Sequence, residues 1–322
     1  MSDSLLPRAD DVLLAAARIA PHASVTPVLR SRTLDALAGA QLAFKAEHLQ
    51  RGGAFKFRGA CNAVWSLDAD RAIAGVVTHS SGNHGAALAL ALAARTRGIP
   101  CHVVVPEGAV AAKLANIARH GATLWRCPPT IADREATCAR VQGDTGATLV
   151  HPYTDPAVMA GQGTAALELL HSDGPFDVLV VPVGGGGLAS GTALALQHAS
   201  PQTRLVLAEP AGADDTARSL AAGERQGAFT PDTICDGLRT LIGAPNFELL
   251  RAAGAEVIVV DDTATMAAMR LLWEVLKQVV EPSSATVLAA VLAQPQRFAG
   301  LRVGLVLSGG NVDLPALRWG AP

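Results

Sequence analysis

Val178-Leu179-Val180-Val181-Pro182-Val183 runs directly into Gly184-Gly185-Gly186-Gly187-Leu188. A short, β-branched run that is apolar on both faces reads as a strand buried between helices. Glycine lets the backbone turn sharply and approach a ligand closely. The residues after Leu188 read as a helix. A strand, a glycine loop and a helix start present unpaired N–H groups and the positive end of a dipole, which favours a phosphate. The spacing is not GxGxxG, and no Lys-Ser/Thr pair makes it a nucleotide triphosphate loop. A phosphate monoester therefore fits better than a dinucleotide. The plainer alternative is a flexible strand–helix turn.

The same rhythm extends in both directions. Apolar runs recur at 74–78, 102–106, 123–126, 148–151, 205–208, 257–260 and 303–307. Helical patterns lie between them at 84–97, 111–119, 131–141, 158–171, 188–198 and 264–280. Alternation of this kind predicts an α/β protein with largely parallel sheets flanked by helices. Residues 76–151 hold enough strand–helix steps for a small mobile domain. Residues 1–75 and 152–322 would then share a larger, discontinuous one.

Composition narrows the partners. Of the 322 residues, 17% are charged, against a usual share of about 25%, so the chain is not of the disordered type. The net charge of −2 argues against nucleic acid, and the 7 Phe, 4 Trp and 1 Tyr make no stacking platform for bases. Neither a membrane span nor a secretory leader is expected from the apolar runs and the N-terminal residues. The cysteines, Cys61, Cys101, Cys127, Cys138 and Cys235, form no CxxC pair. They read as reduced thiols in a cytoplasmic protein.

Three more loops carry polar groups. His79-Ser80-Ser81-Gly82-Asn83-His84-Gly85 precedes a helix and could hold a carboxylate, or could be an ordinary Ser/Asn cap. Gly52-Gly53-Ala54-Phe55-Lys56-Phe57-Arg58-Gly59-Ala60 sets Lys56 between two phenylalanines, before a helical pattern running from Gly59. An amine in an apolar setting beside a cation can shed its proton and act as a nucleophile, although a lone lysine is usually a solvated surface charge. Leu307-Ser308-Gly309-Gly310-Asn311 ends the last run. A nucleophilic amine, a phosphate cradle and a carboxylate cradle together match pyridoxal 5'-phosphate (PLP) acting on an amino acid.

These segments, with Ala160-Gly161-Gln162-Gly163-Thr164, resemble the fold-type II PLP enzymes, in the serine/threonine dehydratase and serine racemase branch. The resemblance extends from Thr26-Pro27 to Asn311. It implies a tryptophan synthase β-like fold of two domains. It also implies that Lys56 carries the cofactor covalently and takes the substrate α-proton. Phe55 would pack near the ring, Asn83 would bond its 3-oxygen, and Gly237 would touch it. Gly184, Gly185, Gly186, Gly187 and Leu188 would hold the phosphate, and Ser308 would face the pyridine nitrogen. Ser80, Ser81, Asn83 and His84 would bind the substrate carboxylate, with Ser81 a second catalytic candidate on the face opposite Lys56. Glu209, the Ala213 carbonyl and Asp215 resemble the branch's site for a structural divalent cation, Mg²⁺, Ca²⁺ or Mn²⁺.

The activity so implied is an ammonia-lyase. It would convert L-serine, L-threonine or a related β-hydroxy amino acid to a 2-oxo acid and ammonia. Serine or aspartate racemase is one alternative, and L-threo-3-hydroxyaspartate ammonia-lyase is another. A second substrate carboxylate would need a cation, for which Arg58 and Arg239 are candidates. Tyr153 stands where the racemases tend to carry an amide, which favours the dehydratase reading. Ala86 replaces the polar side chain of nucleotide-activated racemases, and Glu281-Pro282-Ser283-Ser284-Ala285 has serine where many dehydratases have glycine. Synthases that replace a β- or γ-substituent usually have threonine in place of His84. A non-catalytic binding module and a dinucleotide-dependent dehydrogenase fit less well. The resemblance further implies a homodimer.

Overall fold

A computed structural model describes residues 6–79, 85–109, 111–227 and 229–313. The chain opens with α1 (Ala9–Ile19), β1 (Val28–Leu29), α2 (Arg32–Ala38), β2 (Gln41–Lys45), α3 (Lys56–Ser66) and α4 (Ala69–Ala74). It continues through β3 (Val76–His79), α5 (Gly85–Arg97), β4 (Cys101–Pro106), α6 (Ala111–Arg119), β5 (Thr123–Cys127), α7 (Ile131–Thr145) and β6 (Thr148–Leu149). Then come α8 (Pro156–Asp173), β7 (Val178–Pro182), α9 (Gly187–Ala199), β8 (Arg204–Pro210), α10 (Asp215–Ala222) and α11 (Ala244–Ala252). The chain closes with β9 (Glu256–Val260), α12 (Asp262–Glu274), α13 (Pro282–Ala293) and β10 (Arg302–Val306).

Two sheets result, one of six strands in the order β1-β2-β10-β7-β8-β9 and one of four in the order β5-β4-β3-β6. Among the described residues, every strand pairing is parallel except β1 with β2. The expected α/β class and parallel sheets are present. Each central strand is apolar on both faces because helices cover both. In the larger sheet, Val178 and Val180 of β7 face α12 and α13, while Leu179 and Val181 face α8 and α9. In the smaller sheet, Val103 and Val105 of β4 face α5, and Val104 faces α7. The edge strand β5 is only partly covered, which explains its more polar sequence.

Helix α13 is buried from Pro282 to Val291, so its apolar residues go all the way round rather than forming one stripe. Helices α8 and α9 meet through glycine. A Cβ on Gly163 would stand 2.5 Å from the Gly191 carbonyl oxygen, a distance no side chain tolerates. Helix α3 packs on both α5 and α8 and so stands between the two sheets.

Several boundaries differ from expectation. The helix expected over 264–280 ends at Glu274, and Lys277 turns to φ 61. The helix expected from Gly59 begins at Lys56 itself. The strand expected over 74–78 is shifted to Val76–His79, because Ala74 still belongs to α4. Among the described residues, no helix is long and apolar enough to cross a membrane.

Candidate active site

Four neighbouring strands deliver the chemistry to one edge. The chain leaves β2 toward Lys56, β10 toward Ser308, β7 toward Gly184 and β8 at Glu209, and these strands are adjacent in the order β2-β10-β7-β8. Their carboxyl ends point the same way, the side of a parallel sheet where ligands bind.

Lys56 is the first residue of α3, and this start is fastened to the end of β10. The Phe55 N–H donates to the Ser308 carbonyl at 3.0 Å, and Ala54 forms an antiparallel bridge with Gly309. The Lys56 Nζ stands 4.7 Å from the centroid of the Phe55 ring. Gly85, opening α5, lies so near that a Cβ there would be 3.4 Å from Lys56 Cδ.

Lys56 opens into a cleft of about 830 Å³, counting its mouth to solvent. Phe55, His79, Ala86, Tyr153, Gln162, Gly184, Gly185, Gly186, Gly187, Leu188, Gly237, Glu281, Ser283 and Ser308 share its walls. Every candidate cofactor residue in the described part of the chain is therefore gathered there. Ser80, Ser81, Asn83 and His84 lie outside the described residues. His79, just before them, lines the cleft, and Gly85, just after them, borders Lys56.

The tetraglycine loop is a cradle made by absence. Gly186 has φ 93 and caps α9 without any side-chain bond, so the first amides of the helix keep their donors. A Cβ on Gly184 would come within 2.9 Å of the Leu238 backbone, one on Gly185 within 2.6 Å of the Tyr153 ring, and one on Gly186 within 2.7 Å of Asn246 Cβ. Free amides at a helix start, an amine across the cleft and the half-open wall between them fit a phosphate-bearing aldehyde cofactor.

The far wall turns on Glu281. Its Oε2 accepts from the Asn311 N–H at 3.1 Å, and its own N–H donates to the Gly309 carbonyl. Ser283 Oγ accepts from the Gly237 N–H at 2.9 Å, and Ser284 Oγ from the Gly309 N–H at 3.4 Å. Ser283 thus holds glycine backbone at the cleft, and Ser284 holds the glycine that follows Ser308. On the opposite side His79, His151 and Tyr153 stack edge to face, at 5.3 Å and 4.6 Å between successive centroids. Burial, then the neighbouring His79, pushes His151 down to about 4. Burial, then Arg134, lowers His79, whose Nδ1 has no hydrogen-bond partner among the described residues.

Two sequence candidates are not cleft residues. Arg58 is fully buried, and its guanidinium is taken up by Glu47 and Glu168. Arg239 turns away to donate from Nε and Nη2 to the Thr233 carbonyl.

Glu209 and Asp215 form a second buried group. Glu209 accepts from the Thr216 and Ala217 N–H groups at 2.9 and 2.8 Å, and burial pushes it up to about 8. Asp215 Oδ2 accepts from the Ile242 N–H at 2.8 Å, but Oδ1 has no partner among the described residues, and burial raises this carboxyl as well. Ala213 is buried in the intervening turn. Among the described residues, no three His, Cys, Asp or Glu side chains group together. A cation here would need the backbone carbonyl as well, and the oxygen-only donors and orphaned Oδ1 fit one.

A family model described as pyridoxal-phosphate dependent enzyme matches residues 19–309. The chain belongs to this family. The enzyme is 46% identical over 314 residues to a beta-hydroxyaspartate dehydratase of Paracoccus denitrificans, covering 98% of this chain and 99% of that one. It is 47% identical over 308 residues to a serine racemase of Oryza sativa subsp. indica, covering 94% and 90%. The solved serine racemase of Dictyostelium discoideum superposes with a TM-score of 0.92 at 44% identity, covering 96% of this enzyme and 99% of that chain. The enzyme therefore has the fold-type II architecture and uses PLP. His79, His151, Glu281 and Asn246 were not assigned roles from sequence. The histidines stood inside quoted motifs, but nothing local marked Asn246.

Proposed function

We propose that this enzyme is an ammonia-lyase that eliminates water from a β-hydroxy amino acid and releases a 2-oxo acid and ammonia. The observation that carries the reading is the Lys56 amine, fixed between the Phe55 ring and the start of α5 and facing the tetraglycine loop across one cleft. Relatives named for dehydration of a hydroxy amino acid support it.

When bound, the cofactor supplies an electron sink that makes the substrate α-proton acidic. The amides of Gly184–Leu188 would hold its phosphate, and Phe55 and Gly237 would contact its ring. Ser308 would face the ring nitrogen with a neutral hydroxyl rather than a carboxylate, so Ser308 itself would not hold a proton on it. Lys56 takes the α-proton as general base. Ser80, Ser81, Asn83 and His84 orient the substrate carboxylate. Residues 76–151 act as the smaller mobile domain, closing on the larger one to exclude water.

Glu209, the Ala213 carbonyl and Asp215 would hold a divalent cation, with Mg²⁺, Ca²⁺ and Mn²⁺ all suited to oxygen donors. A cytoplasmic homodimer completes the proposal and rests on family resemblance.

The second reading is a racemase. It is favoured by the similarity to serine racemases and needs Ser81 to return a proton from the other face. One assay separates the two. Purified enzyme is given L-serine, L-threonine or L-threo-3-hydroxyaspartate, and 2-oxo acid and D-enantiomer are followed together. The lyase reading expects oxo acid in excess from at least one substrate. D-amino acid in excess from all of them overturns it. Lys56→Ala is expected to lose about a hundred- to ten-thousandfold in rate, the range of positioned acid–base catalysis. An unchanged rate refutes the role of Lys56.

A further inference from the structure

We propose that Asn246 is a positioning residue for the cofactor phosphate, holding the tetraglycine loop in the shape that aims its amides. This rests on the reading of Gly184–Leu188 as the phosphate cradle.

A run of four glycines has no shape of its own, because glycine gives up the most backbone freedom on ordering. Something outside the loop must fix it. Asn246 stands in the first turn of α11 and is fully buried. Its Nδ2 lies 3.0 Å from the Tyr153 carbonyl oxygen, 3.1 Å from Ser190 Oγ and 3.2 Å from Met159 Sδ. An amide has two hydrogens, so the two oxygens are the natural acceptors and the sulfur a close neighbour.

Each contact reaches the cradle from a different side. Ser190 is in the first turn of α9, and its N–H donates to the Gly186 carbonyl at 2.8 Å. Tyr153 covers the loop from above, its ring against Gly185 and its Cβ against Gly187. The Asn246 Cβ fills the space where a Gly186 side chain would be. Its Oδ1, which has no donor among the described residues, is pressed against Gly243, and the Gly243 N–H donates to the Gly185 carbonyl at 3.2 Å. One side chain thus touches or holds the partners of Gly185, Gly186 and Gly187. It lies behind the loop and does not line the cleft.

The test compares PLP with pyridoxal, which has the same ring and aldehyde but no phosphate. Full-length enzyme is equilibrated with either compound, and bound ligand is read from its visible absorbance. Asn246→Leu is expected to weaken PLP at least tenfold while changing pyridoxal less than twofold. Ser190→Ala removes only one of the bonds and guards against misfolding of the first variant. It is expected to weaken PLP about threefold, again sparing pyridoxal. In both variants the ³¹P resonance of bound PLP should broaden or shift. Equal losses for the two compounds, or no loss for PLP, overturn the positioning role and leave a structural one. Gly186→Ala separates the underlying reading. If that variant keeps full PLP affinity, the phosphate does not sit in this loop, and both inferences fall.

Discussion

Replacing Arg58 by methionine is expected to be among the most destabilising single substitutions in the larger sheet's surroundings. Arg58 Nε and Nη2 donate to the two Glu47 oxygens at 2.7 and 2.8 Å, and Nη1 and Nη2 to the Glu168 oxygens at 2.7 and 2.8 Å. Lys45 Nζ reaches Glu168 at 2.6 Å and the Thr26 carbonyl at 2.7 Å. Arg58 and Glu47 are both 0% exposed. Methionine keeps much of the volume but strands Glu47 with only the Thr26 hydroxyl, 2.5 Å away. Removing one partner of a buried pair costs about 3–5 kcal/mol, a large share of a total stability of about 5–15 kcal/mol. Glu168 is 26% exposed on its side chain and retains Lys45, which places the expected loss near the lower figure. Adding Glu47→Gln removes the stranded charge, so the double variant should recover about 1–3 kcal/mol relative to Arg58→Met. Urea unfolding with saturating PLP reads both, provided the slope with denaturant stays constant. A single-variant loss under about 1 kcal/mol, as expected of an exposed pair such as Arg30–Asp173, would refute the reasoning. Strict additivity of the two changes would refute it equally.

Further outcomes can be checked with the same protein. His151, held down to about 4 against 6.5 when free, refuses a proton that the unfolded chain accepts between those values. Its contribution is complete above pH 6.5 and is lost as pH falls through about 4, by up to about 3 kcal/mol. Urea midpoints measured from pH 4 to 7 should therefore rise with pH, and His151→Gln should flatten the rise; an identical profile in the variant refutes the assignment. At pH 8, added Mg²⁺ or Ca²⁺ should raise the thermal midpoint of the enzyme but not of Glu209→Gln or Asp215→Asn. The same increase in those variants would place any cation elsewhere.

The sequence made the loops legible because glycine, lysine and serine runs at strand ends have few other uses. Buried strands were legible as Val-rich runs for the same reason. What escaped depended on distant partners. Strand β2, Gln41-Leu42-Ala43-Phe44-Lys45, has polar ends and no run of its own. It becomes a strand by pairing with β10, from Gln41 opposite Arg302 to Lys45 opposite Val306. Arg58 beside Lys56 looked like a cation for substrate because nothing local foretold Glu47 and Glu168 closing on it. The end of α12 was invisible because the apolar spacing continues through Val280. There the Gln278 N–H turns back to the Leu272 carbonyl, and its side chain bonds His48. Asn246 had no local signal, since its partners lie 56 to 93 residues away.

The position of β10 has a consequence for synthesis on the ribosome. Strand β10 is inserted between β2 and β7, so the six-stranded sheet has a gap at its centre until Arg302–Val306 has been made. The four-stranded sheet has all its strands by β6, although Val158 of α8 still joins the core beneath it. A nascent chain stalled before Arg302 should therefore protect the smaller sheet from protease while β2 and β7 stay open to cleavage. Because the Ser308 carbonyl that anchors the Phe55 N–H follows β10, Lys56 cannot be set in place before Ser308 has been made.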